Sequence, residues 1–226
     1  MFSDAGQLAQ LIDHTLVRPD ATLDDLAAAC EDAKKYGFAC VVVNSCHVAR
    51  ARELLSNTLV KVCSVVGFPH GANTTTVKIV EAMEAMKNGA SELDIVINIG
   101  MVKSGRFDVV EIDLKNVIAM TPQKVHKAIL ETGSLAPDEI IRVCGIAVKA
   151  GAEFIKTSTG YGPRGATVED IRLIRQAVGA SCRIKASGGI KDLASMTSMI
   201  EAGAERVGTS YGTAIMEEYL VRTSRN

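Results

Sequence analysis

Short segments rich in apolar and β-branched residues alternate with helical patterns along the whole chain. Several of these segments are continuous apolar runs, such as Val41-Val42-Val43 and Val62-Cys63-Ser64-Val65-Val66, rather than alternating ones. A continuous run is typical of a parallel strand that helices cover. The pattern therefore predicts eight strands of a parallel sheet: Leu11–Thr15, Ala39–Asn44, Val60–Val66, Leu93–Asn98, Lys124–Glu131, Phe154–Thr159, Arg183–Ser187 and Arg206–Ser210.

Amphipathic helical patterns separate the predicted strands. Leu23, Leu26 and Cys30 recur at helical spacing, and similar stripes of Ile, Val, Ala and Met lie between later strands. Thr22 and Thr167 each stand three residues before an aspartate, which is a variant of the capping box and indicates a helix start. The chain is therefore predicted to alternate strand and helix throughout.

The number of strand–helix units indicates the architecture. Eight units in 226 residues average about 28 residues each, the size of a compact repeating unit. No Pro/Ser-rich linker or shift in composition divides the chain, so residues 1–226 are predicted to form a single domain. This α/β pattern favours a closed (β/α)8 barrel (TIM barrel). A doubly wound open sheet is the alternative, because periodicity alone does not show closure.

Composition and charge narrow the classes of function. Apolar residues make up 47% and charged residues 23%, which is ordinary for a folded globular protein and excludes disorder. The 25 basic and 26 acidic residues leave a formal net charge of −1 without a basic block, which argues against nucleic acid or membrane as partner. No run of 18 apolar residues and no basic-then-apolar secretory signal is visible, so a cytoplasmic location is expected.

The six cysteines do not form a pattern typical of disulfides or metal sites. Their spacing is scattered, no CxxC occurs, and most lie within apolar segments. Reduced, packed thiols are therefore expected for most of them. Cys46 is the exception, because it falls just past a strand end, where solvent can reach a thiol.

Ionisable residues lie in the middle of three apolar strand candidates. Successive side chains of a strand point to opposite faces, so Lys156 shares a face with Ser158, and Lys185 shares one with Ser187. Asp94 alternates with its apolar neighbours in the same way. If those neighbours face the helices, all three ionisable side chains point into the barrel.

A buried lysine needs either a partner or a chemical role. The structural alternative is a salt-bridge cluster that only holds the barrel, although a buried ion pair is often no better than apolar packing. Two lysines with one carboxylate also leave an excess cation. The chemical alternative is therefore favoured over the structural one.

The chemistry of a buried lysine is specific. A lysine is a nucleophile only as the free amine, and desolvation and a second ammonium both lower its usual pKa of about 10.4. The amine then attacks a carbonyl to form an iminium, which lets an adjacent C–C bond break or form. Asp94 and the other lysine are predicted to move protons. On this reasoning either Lys156 or Lys185 is the nucleophile.

Glycine-rich turns follow the seventh and eighth strand candidates: Ser187-Gly188-Gly189-Ile190 and Gly208-Thr209-Ser210-Tyr211-Gly212. In (β/α)8 barrels the loops after strands 7 and 8 commonly hold a phosphate. Glycine permits close approach, and free N–H groups at a helix start favour an anion. The turns therefore predict a phosphorylated ligand. Arg164, in a third flexible loop, either meets the phosphate or is solvated, and the second is favoured.

The histidines do not form a metal-binding pattern. His14, His47, His70 and His126 lie in four segments without HxH or HExxH spacing, so no catalytic metal is expected. His14 and His70 are predicted to support loops at the barrel mouth. Asp13, on the first strand candidate, either orients the lysines or the substrate, or is a hydrogen-bonded structural carboxylate.

Taken together, these residues resemble the deoxyribose-phosphate aldolases, a family of class I (Schiff-base) aldolases with a (β/α)8 barrel. The resemblance runs from Ile12-Asp13-His14-Thr15-Leu16 to Gly208-Thr209-Ser210 and covers nearly the whole chain. Its most specific segments are residues 92–100, 154–160 and 185–190. Leu130-Glu131-Thr132 and Gly67-Phe68-Pro69-His70-Gly71 also look like loops of the family.

The resemblance implies reversible cleavage of 2-deoxy-D-ribose 5-phosphate to D-glyceraldehyde 3-phosphate and acetaldehyde, in deoxynucleoside catabolism and without a cofactor. It assigns the Schiff base to Lys156, and proton transfer and lowering of the lysine pKa to Asp94 and Lys185. It places the phosphate at five residues: Gly160, Gly188, Gly189, Gly208 and Ser210. Because barrels of this kind often dimerise, a homodimer or higher homo-oligomer is compatible with the sequence.

Tyr211 departs from the family pattern, in which a second small residue is usual. Its side chain either alters the phosphate pocket or points away while its backbone N–H still binds. Two other functions remain as alternatives. A different phosphosugar activity, transaldolase-like or isomerase, is disfavoured because no strand-end Glu/His pair is present. An inactive barrel that binds a phosphorylated ligand is disfavoured because Lys156, Lys185 and Asp94 are all present.

Overall fold

The predicted strands are present and close into a barrel. The computed structural model describes residues 2 and 4–224. Its strands are β1 (Ile12–Leu16), β2 (Cys40–Val43), β3 (Lys61–Val66), β4 (Glu92–Val96), β5 (Val125–Ile129), β6 (Phe154–Lys156), β7 (Arg183–Ser187) and β8 (Arg206–Thr209). All are parallel and lie in chain order, and β8 returns to pair with β1, with Gly208 opposite Asp13. This closure confirms the (β/α)8 barrel and excludes the doubly wound sheet.

Ten helices in the described part of the chain accompany the strands. They are α1 (Ala5–Ala9), α2 (Leu23–Tyr36), α3 (Val48–Leu54), α4 (Thr75–Lys87), α5 (Ile99–Lys103), α6 (Phe107–Met120), α7 (Pro137–Ala150), α8 (Val168–Val178), α9 (Leu193–Glu201) and α10 (Gly212–Thr223). The helix starts predicted at Thr22 and Thr167 are confirmed, because both threonines form capping boxes. None of these helices has both the length and the apolar character that crossing a membrane requires.

Several strands end earlier than the sequence pattern predicts. β4 ends at Val96, since Asn98 instead caps α5 by accepting the backbone N–H of Met101. β5 ends at Ile129, because Glu131 adopts a left-handed backbone with φ 58°. β6 ends at Lys156, and Thr159 beyond it binds the Glu131 side chain instead of a neighbouring strand. Side-chain hydrogen bonds thus add to the remaining backbone hydrogen bonds where the loops begin.

The two faces of the strands meet different surroundings. Outward-facing residues such as Leu93, Ile155 and Ile184 are fully buried in one apolar core together with residues of the helices. The inside of the barrel holds a separate, smaller apolar cluster: Cys40, Val42, Cys63 and Val65. The ionisable residues predicted from alternation face this interior. The apolar shell therefore isolates them from water.

A buried ion pair outside the barrel ties two helices to β4. Lys78 of α4 is fully buried, and its Nζ lies 2.5 Å from Oδ2 of Asp113 in α6 and 2.8 Å from the carbonyl oxygen of Val96. Removing one partner of such a pair leaves the other charge unpaired and is strongly destabilising. The pair therefore fixes the end of the strand that carries Asp94.

Candidate active site

Three lysines converge on one carboxylate inside the barrel. Asp94 of β4 is fully buried, and its Oδ2 accepts hydrogen bonds from Nζ of Lys156 (2.8 Å) and of Lys185 (2.9 Å). Its Oδ1 accepts a hydrogen bond from Nζ of Lys127 (2.9 Å). Lys156 and Lys185 are opposite each other in the register of β6 and β7, which brings both amines to the same oxygen. The structure thus brings together the three predicted residues and adds Lys127.

A second set of charges binds these lysines from neighbouring strands. Nζ of Lys127 lies 2.6 Å from Oε2 of Glu92, and Nζ of Lys185 lies 2.5 Å from Oδ2 of Asp13. Nη1 of Arg206 lies 2.6 Å from Oδ1 of Asp13. The network holds four cations and three carboxylates: Lys127, Lys156, Lys185 and Arg206 with Asp13, Glu92 and Asp94. The expectation of two lysines and one carboxylate was wrong.

Sequence reasoning missed three members of this network for different reasons. Lys127 carried a detectable signal, because it stands between apolar residues of a strand in the same way as Lys156. Glu92 and Arg206 open their strands, where a charge is usually solvated. Glu92 is revealed by its contact with Lys127 of the adjacent β5, and Arg206 by the closure of β8 onto β1. Asp13 contacts Lys185, which favours the orienting role over a purely structural one.

The lysines have opposite pKa shifts. Burial lowers the pKa of Lys156, Asp94 opposes that effect, and the nearby Lys185 ammonium lowers the pKa further. Burial also lowers the pKa of Lys185, but Asp13 and Asp94 outweigh burial and raise this pKa above its ordinary value. For Lys127, Asp94 is the main group that outweighs burial and raises the pKa. The environment therefore favours Lys156 as the free amine.

The carboxylate itself remains ionised. Burial raises the pKa of Asp94, but the ammonium groups of Lys127, Lys156 and Lys185 outweigh burial and hold the pKa well below its ordinary range. Asp94 is thus a permanent hydrogen-bond acceptor at neutral pH. It can take a proton only transiently, as a relay between groups that touch it.

A neutral Lys156 also balances the charge of the network. Among the described residues Lys156 contacts one carboxylate, Asp94, whereas Lys185 contacts two and Lys127 three. When Lys156 is neutral, three cations face three carboxylates. Because an uncompensated charge in a dry interior is costly, the network favours loss of the proton from the lysine with the fewest acidic partners.

An open cavity of about 580 Å³ lies at the C-terminal ends of β1, β6, β7 and β8. The residues predicted to bind phosphate all line it: Gly160, Gly188, Gly189, Gly208 and Ser210. Lys156, Asp94 and Lys185 do not line it. Gly208 connects the two regions, because a Cβ at this position would lie 2.9 Å from Cε of Lys185. The backbone of the cavity wall therefore packs directly on the lysine cluster.

The cavity depends on glycine where two loops cross. Gly188 adopts φ 87°, and a Cβ there would lie 3.0 Å from Cα of Gly165. The loops after β6 and β7 consequently touch backbone against backbone, an approach that a side chain would block. This crossing lets both loops border the same cavity.

Arg164 does not border the cavity. Its Nη2 lies 2.9 Å from Oδ1 of Asp170, whose Oδ2 also accepts a hydrogen bond from the hydroxyl of Thr132 (3.0 Å). Arg164 is exposed, as the favoured alternative expected, and it is also ion-paired with Asp170. It anchors the loop after β6 to α8.

Tyr211 borders the cavity with a half-exposed ring. Its backbone N–H donates to Oγ1 of Thr209 (2.9 Å), which favours the alternative in which the side chain alters the cavity over the one in which this N–H binds the phosphate. Nζ of Lys191 lies 5.7 Å from the ring centroid, which brings a cation to the same cavity. The hydroxyl of Ser210 donates to the carbonyl oxygen of Thr15 (2.7 Å).

The cysteines agree with their sequence pattern. Cys46 is exposed, the other five are buried, and all six are free thiols. Among the histidines, His14 borders the cavity, as expected for a residue at the barrel mouth, whereas His70 is exposed and does not line it.

One group of candidate metal ligands occurs among residues 2 and 4–224. Asp13, Cys40 and Glu92 place ligand atoms within 4.8 Å of one another. Lys127 and Arg206 already bind the two carboxylates, each at 2.6 Å. The chain's own cations therefore neutralise these acids.

Comparison with known proteins agrees with this geometry. Residues 7–218 match the model of the DeoC/LacD family of aldolases. A deoxyribose-phosphate aldolase from Caldanaerobacter subterraneus subsp. tengcongensis is 51% identical over 215 residues, which cover 94% of this chain and 93% of the relative.

Solved structures share the fold along nearly the full length. An aldolase called QR15 superposes with a TM-score of 0.92 at 44% identity, covering 96% of this chain and 97% of that one. A tetrameric deoxyribose phosphate aldolase from Aeropyrum pernix superposes with a TM-score of 0.91 at 30% identity, covering 97% of this chain and 93% of that one. The chain therefore belongs to the DeoC/LacD family of aldolases.

Proposed function

We propose that this chain is a class I aldolase that reversibly cleaves 2-deoxy-D-ribose 5-phosphate to D-glyceraldehyde 3-phosphate and acetaldehyde, in deoxynucleoside catabolism. The observation that carries the proposal is the buried amine of Lys156, 2.8 Å from Asp94 and next to the charged Lys185. Such surroundings favour the free amine that Schiff-base chemistry requires. Family membership and the glycine-lined cavity support the phosphosugar substrate.

The reaction begins at C1 of the open-chain sugar, which is an aldehyde. Nζ of Lys156 attacks C1, and the resulting carbinolamine loses water to give an iminium. The positive iminium withdraws electrons from the C2–C3 bond. When the C3 hydroxyl loses its proton, that bond breaks. The former C3 becomes the aldehyde carbon of glyceraldehyde 3-phosphate, and an enamine remains on Lys156.

Asp94 and Lys185 carry the proton transfers. Asp94 touches both amines, so it can accept a proton arising at the C3 hydroxyl, through a water molecule, and pass it on. Protonation of the enamine at C2 then gives the iminium of acetaldehyde. Addition of water releases acetaldehyde and restores the Lys156 amine. One water is lost and one is taken up, so the cycle balances.

The 5-phosphate occupies the cavity lined by the loops after β6, β7 and β8. Gly160, Gly188 and Gly208 let the ligand approach the backbone closely. Lys191 contributes a cation at the rim of this cavity. Phosphate binding there fixes the position of the C5 end of the substrate, and it thereby directs the aldehyde end towards Lys156.

The remaining features of the proposal concern cofactors, assembly and location. Neither a cofactor nor a metal takes part in these steps. The tetrameric state of the Aeropyrum pernix relative supports a homo-oligomer for this chain as well. We place the protein in the cytoplasm and treat residues 1–226 as a single domain.

Borohydride reduction in the presence of acetaldehyde tests the reaction class and the nucleophile together. Mass spectrometry of the digested protein should find the reduced adduct on Lys156, and Lys156→Met should abolish it. The matched control is Lys149→Met, since Lys149 is an exposed lysine that lies outside the barrel. An adduct on Lys185 alone would reverse the assignment of roles.

Release of acetaldehyde from 2-deoxyribose 5-phosphate tests the substrate. A coupled alcohol dehydrogenase assay should show release that EDTA leaves unchanged, whereas a clear loss with EDTA would indicate a metal. Binding of the sugar phosphate without release would instead indicate an inactive barrel that only binds phosphosugars.

A further inference from the structure

Glu131 is a buried carboxylate that the proposed chemistry does not use. It follows β5, it is 3% exposed, and its backbone has φ 58° and ψ 62°. Among the other described non-glycine residues, Asn57 and Gln123 also have positive φ, but both are exposed. A left-handed backbone is unfavourable for a residue with a Cβ and persists where the surrounding structure imposes it.

The side chain of Glu131 orders the loop after β6. Its Oε2 accepts hydrogen bonds from the hydroxyl of Thr159 and from its backbone N–H, with N 3.1 Å away. Oγ1 of Thr159 accepts the N–H of Tyr161 in turn (3.0 Å). Residues 159, 160 and 161 all line the cavity. The carboxylate therefore controls the part of the cavity wall that includes Gly160.

The second oxygen of this carboxylate has no hydrogen-bond partner among residues 2 and 4–224. Oε1 of Glu131 is buried and accepts no hydrogen bond from the residues that the structure describes. It packs against Gly162, where a Cβ would lie 2.5 Å from Oε1. The hydrogen bonds of the carboxylate therefore all go to the loop after β6.

The backbone around Glu131 holds the strand that carries Lys156. The N–H of Leu130 donates to the carbonyl oxygen of Lys156 (3.0 Å), and the N–H of Thr132 donates to that of Thr157 (2.9 Å). The segment is therefore fixed to the end of β6 by its backbone and to the following loop by its side chain.

We propose that Glu131 is a positioning residue that sets the distance between the Lys156 amine and the phosphate-binding loop at Gly160. The inference rests on the proposed function, since it takes the phosphate to bind at Gly160. Glu131 touches neither the cavity nor the lysines, so it acts through the loop and the strand. Loss of the Glu131 side chain misplaces the phosphate relative to the Lys156 amine and leaves the amine itself intact.

Glu131→Gly is the informative variant, because glycine adopts the left-handed backbone without strain, so the effect reports loss of the side chain with its carboxylate. We expect kcat/KM for 2-deoxyribose 5-phosphate to fall about tenfold to a hundredfold, and that for unphosphorylated 2-deoxyribose to change by about twofold at most. Trapping of Lys156 by acetaldehyde and borohydride should persist. Glu131→Gln keeps an acceptor oxygen for Thr159 and should retain most of the preference for the phosphorylated sugar.

Glu153→Ala is the matched control. Glu153 lies just before β6, at the end of the strand away from the cavity, and its Oε2 accepts the backbone N–H of His126 (2.7 Å). This variant should keep the preference for the phosphorylated sugar. If Glu153→Ala loses that preference too, general loosening of the barrel explains the effect and the inference is wrong.

Two results with Glu131→Gly would overturn the positioning role. One is an unchanged kcat/KM for both sugars. The other is an equal loss on both sugars, which indicates a merely structural role. If the wild-type chain releases acetaldehyde from neither sugar, the proposed function has failed and this inference falls with it. An active wild type with an unaltered Glu131→Gly variant overturns the positioning role alone.

Discussion

Removal of the Lys185 charge should raise the pKa of Lys156. Both amines donate to Oδ2 of Asp94, at 2.8 and 2.9 Å, so the two nitrogens lie roughly 4–5 Å apart. At an effective dielectric constant of about 20, two unit charges at about 4 Å repel by about 4 kcal/mol. Since 1.36 kcal/mol corresponds to one pKa unit, Lys185→Met should raise the pKa of Lys156 by up to about 3. Methionine preserves much of the side-chain volume without the charge.

The rate of trapping of Lys156 as a function of pH measures this change. Acetaldehyde and cyanoborohydride modify the free amine only, and peptide mass spectrometry reports Lys156 separately from other lysines. A higher pKa leaves a smaller free fraction at pH 7, so the rate there should fall, by about tenfold for each unit of pKa. The rate should recover at alkaline pH, which a merely unfolded variant would not show.

The control and the refuting result are both specific. Lys149→Met removes a lysine that is 74% exposed, and it should leave the midpoint of the pH profile unchanged. A midpoint for Lys185→Met that stays in place or moves to lower pH, in a variant with an unaltered circular dichroism spectrum, would refute the electrostatic argument. Lys156 would then owe its reactivity to burial alone.

Three further experiments test other parts of the structure. Lys78→Met should lower the free energy of unfolding in urea by about 3–5 kcal/mol, because Asp113 keeps an unpaired buried charge. Adding Asp113→Asn should restore part of the lost free energy of unfolding. Burial lowers the pKa of His14, so the unfolded chain protonates first as the pH falls below about 6.5. Stability should therefore decline with acid in urea titrations at pH 7 and 5, and a His14→Asn variant that declined as steeply would contradict this. Tyr211→Ser removes the ring beside Lys191 and should raise KM for the phosphorylated sugar about two- to fivefold. The reason is that an exposed cation–π contact contributes about 0.5–1 kcal/mol. An unchanged KM in steady-state kinetics would contradict this prediction.

The order of the elements was readable from the sequence because each element depends on local information. A run such as Val41–Val43 indicates a strand from its own composition, and the caps at Thr22 and Thr167 use residues only three apart. Periodicity alone did not show barrel closure, since the pairing of Asp13 with Gly208 joins the two ends of the fold; the number of units and the family resemblance favoured closure, and the structure confirms it. The ends of the strands could not be predicted accurately, because they depend on contacts between residues far apart in the chain, such as Glu131 and Thr159.

The site was partly readable for a related reason. A charge in the middle of an apolar strand is anomalous in the sequence itself, and this singled out Lys156, Lys185 and Asp94. Lys127 has the same pattern and was missed. Arg206 opens its strand, and its contact with Asp13 exists only because β8 closes onto β1.

The sequence by itself determined that Lys156, Lys185 and Asp94 enter the barrel, because alternation along a strand sets the face of a residue whose neighbours are apolar. Only the tertiary structure decided which lysine has a lowered pKa. The pKa of each lysine depends on its burial and on how many carboxylates lie within contact: one for Lys156, two for Lys185 and three for Lys127. Those carboxylates come from β1 and β4, which lie far from the lysines in the chain, so no local pattern encodes the count.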